Sequence, residues 1–279
     1  MPTSWNYSVD PILGSQLAYR VGGLGKSVVL LHGFGTTSAT WMPCVAALPA
    51  KYRYFMPDLP GHGRSTRDRS ATDPVQHSLD IFTAFLNSLA ADQYILVGHS
   101  LGGLLVLLAL LNDSIAARTS ALVLVDVPAF PQALPKVIRF FRARVWSSVL
   151  SSLLPSRTLV YLAQREVFAQ PSRIPTFLID EYTASLRAHG TIRSLQRLAA
   201  ALSDWAASPP PLHLDRIRVP TLIVWGSHDE LVPPESGQAL HAAIPGSTLS
   251  VFPRTGHAPQ EECPEDFAAV FSRFLSEVA

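Results

Sequence analysis

The sequence predicts an α/β fold: a mostly parallel β-sheet covered by helices on both faces, with one helical insertion. Three observations predict it. Short runs that are apolar throughout recur along the chain, each stopped by Gly, Pro or Asp. Stretches of helical character separate these runs. One interval, from about Phe130 to Leu212, breaks the alternation and reads as several helices in succession.

The runs come in order. Residues 28–31 (VVLL) precede HGFG, and residues 53–56 (RYFM) precede PDLPGHGRS. Residues 94–97 (YILV) precede GHS, and 121–125 (ALVLV) precede Asp126. Residues 221–225 (TLIVW) precede GSHDE, and 248–252 (TLSVF) precede PRTGH. Unbroken apolar runs, rather than alternating ones, fit strands covered on both faces. Strands alternating with helices fit parallel crossover units, whose ligands bind at the carboxyl ends of the strands. Every run here ends in a polar or glycine-rich loop at that position.

In the interval 130–212 the pattern predicts helices over 134–154, 157–169, 175–188 and 191–206, punctuated by Pro155, Pro171, Gly190 and the proline run 209–211. Ordinary connections are only a few residues long. The expected division is a core of residues 1–129 and 213–279 with a cap of 130–212 over the strand ends. The cap holds ten Lys or Arg against four Asp or Glu, near +6, which leaves the rest near −5.

Composition narrows the class. The 279 residues are 48% apolar and 15% charged, enough for a large buried core. A net charge of +1 argues against coating nucleic acid. Cys44 and Cys263 form no metal spacing and no disulfide framework, and the start MPTSWNYSVDP lacks a signal-peptide pattern. The most apolar window, 101–111, has about half the length needed to span a bilayer. The expectation is a soluble, cytoplasmic protein.

The chemistry centres on Gly98-His99-Ser100-Leu101-Gly102, a G-x-S-x-G pattern between a strand and a helix. Glycines at 98 and 102 remove side chains that would collide in a tight turn, so Ser100 projects its hydroxyl. The bland alternative is a Gly-Ser turn joining a strand to a buried helix. A serine needs a base, and His257 in PRTGH follows a strand near the chain's end. An imidazole needs a carboxylate to fix its tautomer; Asp229 in WGSHDELVP is preferred, and Asp126, which also ends a strand, is the rival. Glu230 would point elsewhere if Asp229 points inward. The serine–acid–histidine order matches that of nucleophile-elbow enzymes. Two backbone N–H groups suit the oxyanion: Leu101 at the helix start and Phe34 between Gly33 and Gly35, each such donor lowering the barrier by roughly 3 kcal/mol.

With these motifs in hand the chain resembles the α/β-hydrolases over nearly its whole length outside the insertion. LLHGFG, DLPGHGRS, VGHSLGG, PTLIVWGSHDELVP and TGHAPQEECPEDF occur in the family's order and at its spacings. The resemblance implies a mostly parallel sheet of about eight strands, a cap after the sixth, and a Ser-Asp-His triad. It carries over Ser100 as nucleophile, Asp229 as acid, His257 as base, and Phe34 and Leu101 as oxyanion donors. Asp58, Gly61, His62, Gly63, Arg64 and Ser65 match a loop that is mostly architectural, and His32 and His99 are expected to be structural.

The expected reaction is hydrolysis of a carboxylic ester of a small or medium-sized substrate through an acyl-enzyme on Ser100, with no metal or organic cofactor required. One alternative is a carbon–carbon bond hydrolase acting on a dienoic keto acid from ring cleavage, for which Arg187, Arg193 and Arg197 are candidate anion contacts. The other is a non-catalytic ligand receptor of the same fold. In the cap, Phe141, Val145, Val149 and Leu153 form a stripe at helical spacing among Lys136, Arg139, Arg142 and Arg144. Such a stripe is most often packed on the core; the alternative is a lid that meets an anionic interface.

Overall fold

The computed structural model describes residues 5–67, 71–207, 209 and 211–278. A hairpin opens it: β1 (Asn6–Ile12) and β2 (Ser15–Gly23) pair antiparallel through Leu13 and Gly14, which both take positive φ. Then come β3 (Lys26–Leu31), the single-turn α1 (Met42–Val45) and β4 (Tyr52–Pro57). Helix α2 (Pro74–Ser88) starts where Asp73 accepts hydrogen bonds from the Val75 and Gln76 N–H groups and proline takes the first helical position. Strand β5 (Tyr94–His99) leads to α3 (Leu101–Ala109), then α4 (Asp113–Arg118) and β6 (Thr119–Val125).

Five helices follow before the sheet resumes: α5 (Lys136–Arg142), α6 (Arg144–Leu153), α7 (Ser156–Val167), α8 (Thr176–Arg187) and α9 (Thr191–Ala207). The chain ends with β7 (Thr221–Gly226), α10 (Pro234–Ala243), β8 (Thr248–Phe252), α11 (Pro259–Glu262) and α12 (Pro264–Glu277). The single helix expected over 134–154 is two. The chain bends at Ala143, whose ψ of 69° lies outside the helical range, so α5 and α6 point differently.

The eight strands form one sheet in the order β1-β2-β4-β3-β5-β6-β7-β8, in which β2 runs antiparallel to both its neighbours, β1 and β4, and all other pairs are parallel. Alternate residues serve opposite faces. Val29, Leu31, Leu96, Leu122, Leu124 and Ile223 pack with α2, α3 and α10. Val28, Leu30, Ile95, Val97, Val123 and Val224 pack with Trp41 and the phenylalanines of α12. Both faces are therefore dry, as unbroken apolar strands require. Register pairs His99 with Val125, Val125 with Val224 and Gly226 with Phe252, so the loops after β5 to β8 emerge at one edge. Among the described residues no helix is long and apolar enough to cross a membrane.

Candidate active site

Ser100 joins β5 to α3 with φ 52° and ψ −121°, a conformation few non-glycine residues adopt. The turn closes because its neighbours are bare. A methyl on Gly98 would run into the Gly103 backbone, and one on Gly102 into the carbonyls of Leu31 and His32. The Ser100 N–H donates to the Val125 carbonyl at 2.9 Å, which ties the turn to β6. Every residue of α3 is buried, so this helix is fixed by its whole circumference.

Three side chains from three strand ends meet. Ser100 Oγ lies 2.9 Å from His257 Nε2, and His257 Nδ1 lies 2.7 Å from Asp229 Oδ2. The other Asp229 oxygen accepts from the Leu231 and Val232 N–H groups at 2.8 and 2.9 Å. With Nδ1–H donating to the carboxylate, Nε2 is left as an acceptor for the serine hydroxyl. Glu230 is exposed and takes no part.

Asp126, the rival acid, bonds elsewhere. Its Oδ1 accepts from the Gly226 N–H at 2.9 Å, while Oδ2 is buried. Ligating atoms of Asp126, Asp229 and His257 all lie within 4.8 Å of one another. Burial, then the neighbouring Asp229, push the Asp126 carboxyl far above its ordinary range. A second carboxylate this close opposes ionisation of the first, in keeping with the raised Asp126 carboxyl.

The histidines expected to be structural are placed so. His99 Nε2–H donates to the His257 carbonyl at 2.8 Å. His32 accepts from the Leu59 N–H at 2.9 Å and donates through Nδ1 to the Gly33 carbonyl at 2.8 Å. His62 accepts from the Gly35 N–H at 3.1 Å, holding the loop that carries Phe34. Burial lowers all three, His62 to about 3, so they stay neutral at neutral pH. Asp58 organises its loop by accepting from the Ser38 and Arg64 N–H groups at 2.7 and 3.0 Å.

Contacts from outside the expected set hold the histidine loop. The His257 N–H donates to the Val167 carbonyl at the end of α7, at 2.7 Å. Glu262 accepts from the N–H groups of Gly256, Ala169 and Gln170 at 2.7, 3.1 and 2.7 Å. Its position in the quoted TGHAPQEECPEDF stretch is the only signal the sequence offers for it. Beside it, Glu261 accepts from Thr40 and, at 2.7 Å, from the Tyr182 hydroxyl. Burial raises its carboxyl to about 7. Nothing in the sequence pairs Tyr182 with Glu261, 79 residues apart.

Ser100 opens on a cavity of about 430 Å³ between the strand ends and the inserted helices. Phe34, Leu101 and His257 line it with Phe130, Ile138, Phe141, Leu195 and Trp205, so its walls are mainly apolar. As the first residue of α3, Leu101 has no intrahelical acceptor for its N–H. Lys136 is the one Lys or Arg among the described lining residues. Arg187 and Arg193 line a separate cleft, and Arg197 donates to the Ala71 carbonyl.

The chain is 28% identical over 275 residues to the pimeloyl-[acyl-carrier protein] methyl ester esterase of Aliivibrio salmonicida (strain LFI1238), covering 94% of this chain and 96% of that one. Its fold superposes on the 2-hydroxy-6-oxo-6-phenylhexa-2,4-dienoate hydrolase from Rhodococcus sp. strain RHA1 with a TM-score of 0.84, at 20% identity over 98% of this chain and 99% of that one. A thermophilic esterase from Thermogutta terrifontis gives a TM-score of 0.79 at 23% identity, over 98% and 99% of the two chains. Residues 28–270 match the model of the alpha/beta hydrolase family, and with this sheet order and this strand–serine–helix turn the chain belongs to that family.

Proposed function

We propose that the protein is a serine hydrolase that cleaves carboxylic esters with an apolar acyl group. One observation carries the reading: the hydrogen-bonded chain Ser100–His257–Asp229 opens on an apolar cavity. Ser100 attacks the ester carbonyl while His257 Nε2 takes its proton. The N–H groups of Phe34 and Leu101 receive the oxyanion. His257 then protonates the departing alcohol, and a water deprotonated by His257 releases the acid from Ser100. Asp229 holds the imidazole in its tautomer and steadies the imidazolium. The reading treats residues 1–129 and 213–279 as a catalytic core and 130–212 as a cap that supplies the acyl pocket. It places the protein in the cytoplasm, in keeping with the free thiols of Cys44 and Cys263.

The dienoic keto acid is the weaker substrate because it brings a carboxylate. Burying a charge requires a partner; the three arginines named for that role lie away from the cavity lining, and Lys136, the one cation among the described lining residues, is itself exposed.

A chain-length series of p-nitrophenyl esters, run beside one ring-cleavage dienol, tests the reading. Turnover should rise from acetyl to medium acyl chains, and Ser100→Ala should lower kcat/KM by about a thousandfold or more with Tm retained. Rapid bleaching of the dienol with negligible ester turnover would replace this reading with carbon–carbon cleavage. A ligand that raises Tm and is recovered unchanged, with no ester turnover, would replace it with a receptor.

A further inference from the structure

We propose that the outer face of α6, with the exposed leucines of the α6–α7 segment, docks on an anionic lipid surface and takes apolar substrate from it; the second half rests on the ester-hydrolase reading above. The stripe expected to pack inward does so only at Phe141. Along α6 the rest faces solvent: Val145 is 74%, Trp146 68% and Leu153 73% exposed, and Ser147 is the only buried residue of that helix. Solvating so many large apolar groups on one short helix is costly, and such a patch marks a contact surface.

The patch continues into the cavity. Leu154 and Leu162 are exposed and also line the cavity that holds Ser100. An apolar path therefore runs from the outside of α6, over the Leu154–Leu162 rim, to the serine.

Charge selects the occupant. Residues 130–165 carry Lys136, Arg139, Arg142, Arg144, Arg157 and Arg165 and no Asp or Glu. All six are exposed; Arg157 is ion-paired with Asp180 and Glu166 follows Arg165 directly, which leaves Lys136, Arg139, Arg142 and Arg144 as the cations beside the patch. Exposed apolar side chains on a segment this rich in cations match the boundary of an anionic bilayer, where the rings and branched chains enter the acyl region and the cations meet headgroup phosphates. A second copy of the chain would bring the same cations face to face, which opposes self-association through this patch.

Sedimentation with vesicles tests this without turnover. The protein should partition onto vesicles of equal phosphatidylglycerol and phosphatidylcholine, far less onto phosphatidylcholine alone, and less as salt is raised. The triple variant Val145→Ser, Trp146→Ser, Leu153→Ser should bind anionic vesicles roughly tenfold or more weakly. It should hydrolyse a short soluble ester at the wild-type rate. Wild-type partitioning that is absent, indifferent to lipid charge, or untouched by the triple variant overturns the proposal. So does a dimer in sedimentation velocity that the triple variant abolishes, since that would make the patch a contact between copies. Ser100→Ala should bind vesicles like the wild type. If vesicles bind but no ester turns over, the surface stands and the ester reading falls.

Discussion

Asp126 and Glu261 are carboxyls that burial pushes above their ordinary range, and each yields a test. Asp126→Asn preserves the Gly226 bond, since the amide oxygen accepts from Gly226 N–H, and it removes the buried second acidic oxygen; asparagine also tolerates the positive φ of 48° there. Ester turnover should stay within a few-fold of wild type. Asp126→Leu leaves the Gly226 N–H without its acceptor and should cost about 1–3 kcal/mol in urea unfolding. A carboxyl raised on folding stabilises most when both states are protonated, and that contribution is lost as pH rises through the raised value. For Glu261 the window runs from the ordinary 4.5 to about 7. Unfolding free energy of Glu261→Gln should lack a decline of about 3 kcal/mol that the wild type shows across that window. Parallel urea titrations at several pH values would reveal it.

At the level of elements, the serine turn is unforgiving. Gly102→Ala sets a methyl against the Leu31 and His32 carbonyls. It should lower stability by about 1–3 kcal/mol and abolish ester turnover, read from Tm and a p-nitrophenyl assay. This turn was legible in the sequence because sterics demand glycine there. The parallel strands were legible because two dry faces demand unbroken apolar runs. The edge hairpin was not: β1 and β2 are partly exposed and polar at many positions, and their turn uses Leu13 at positive φ in place of the Asn-Gly or Asp-Gly that advertises a hairpin. The bend at Ala143 was equally silent, since alanine is the strongest helix former and packing overrode it. The direction of the α6 stripe was silent too, because periodicity reports that a face is apolar but not which way it turns.

Across the whole molecule the site is assembled from both the sheet and the insertion. Ser100, Asp229 and His257 could be placed because each ends a recognisable strand. The supports of His257 could not, since the Val167 carbonyl is backbone and two of the three Glu262 contacts cross more than 90 residues. Glu262→Gln trades a carboxylate serving three N–H groups for a single amide oxygen. Losing charge-assisted bonds of this kind should lower kcat about tenfold on short esters, with KM little changed, because the imidazole loop loosens while the pocket wall stays.

The amide of His257 ends on a carbonyl of the inserted segment. A shortened chain with residues 130–212 replaced by a linker would retain every residue of the proposed proton relay, yet leave its base hanging from an unmoored loop. On the proposed reading the roof is also a structural beam of the reaction centre, so grafting a different roof to change substrate range must bring a replacement acceptor at that one peptide.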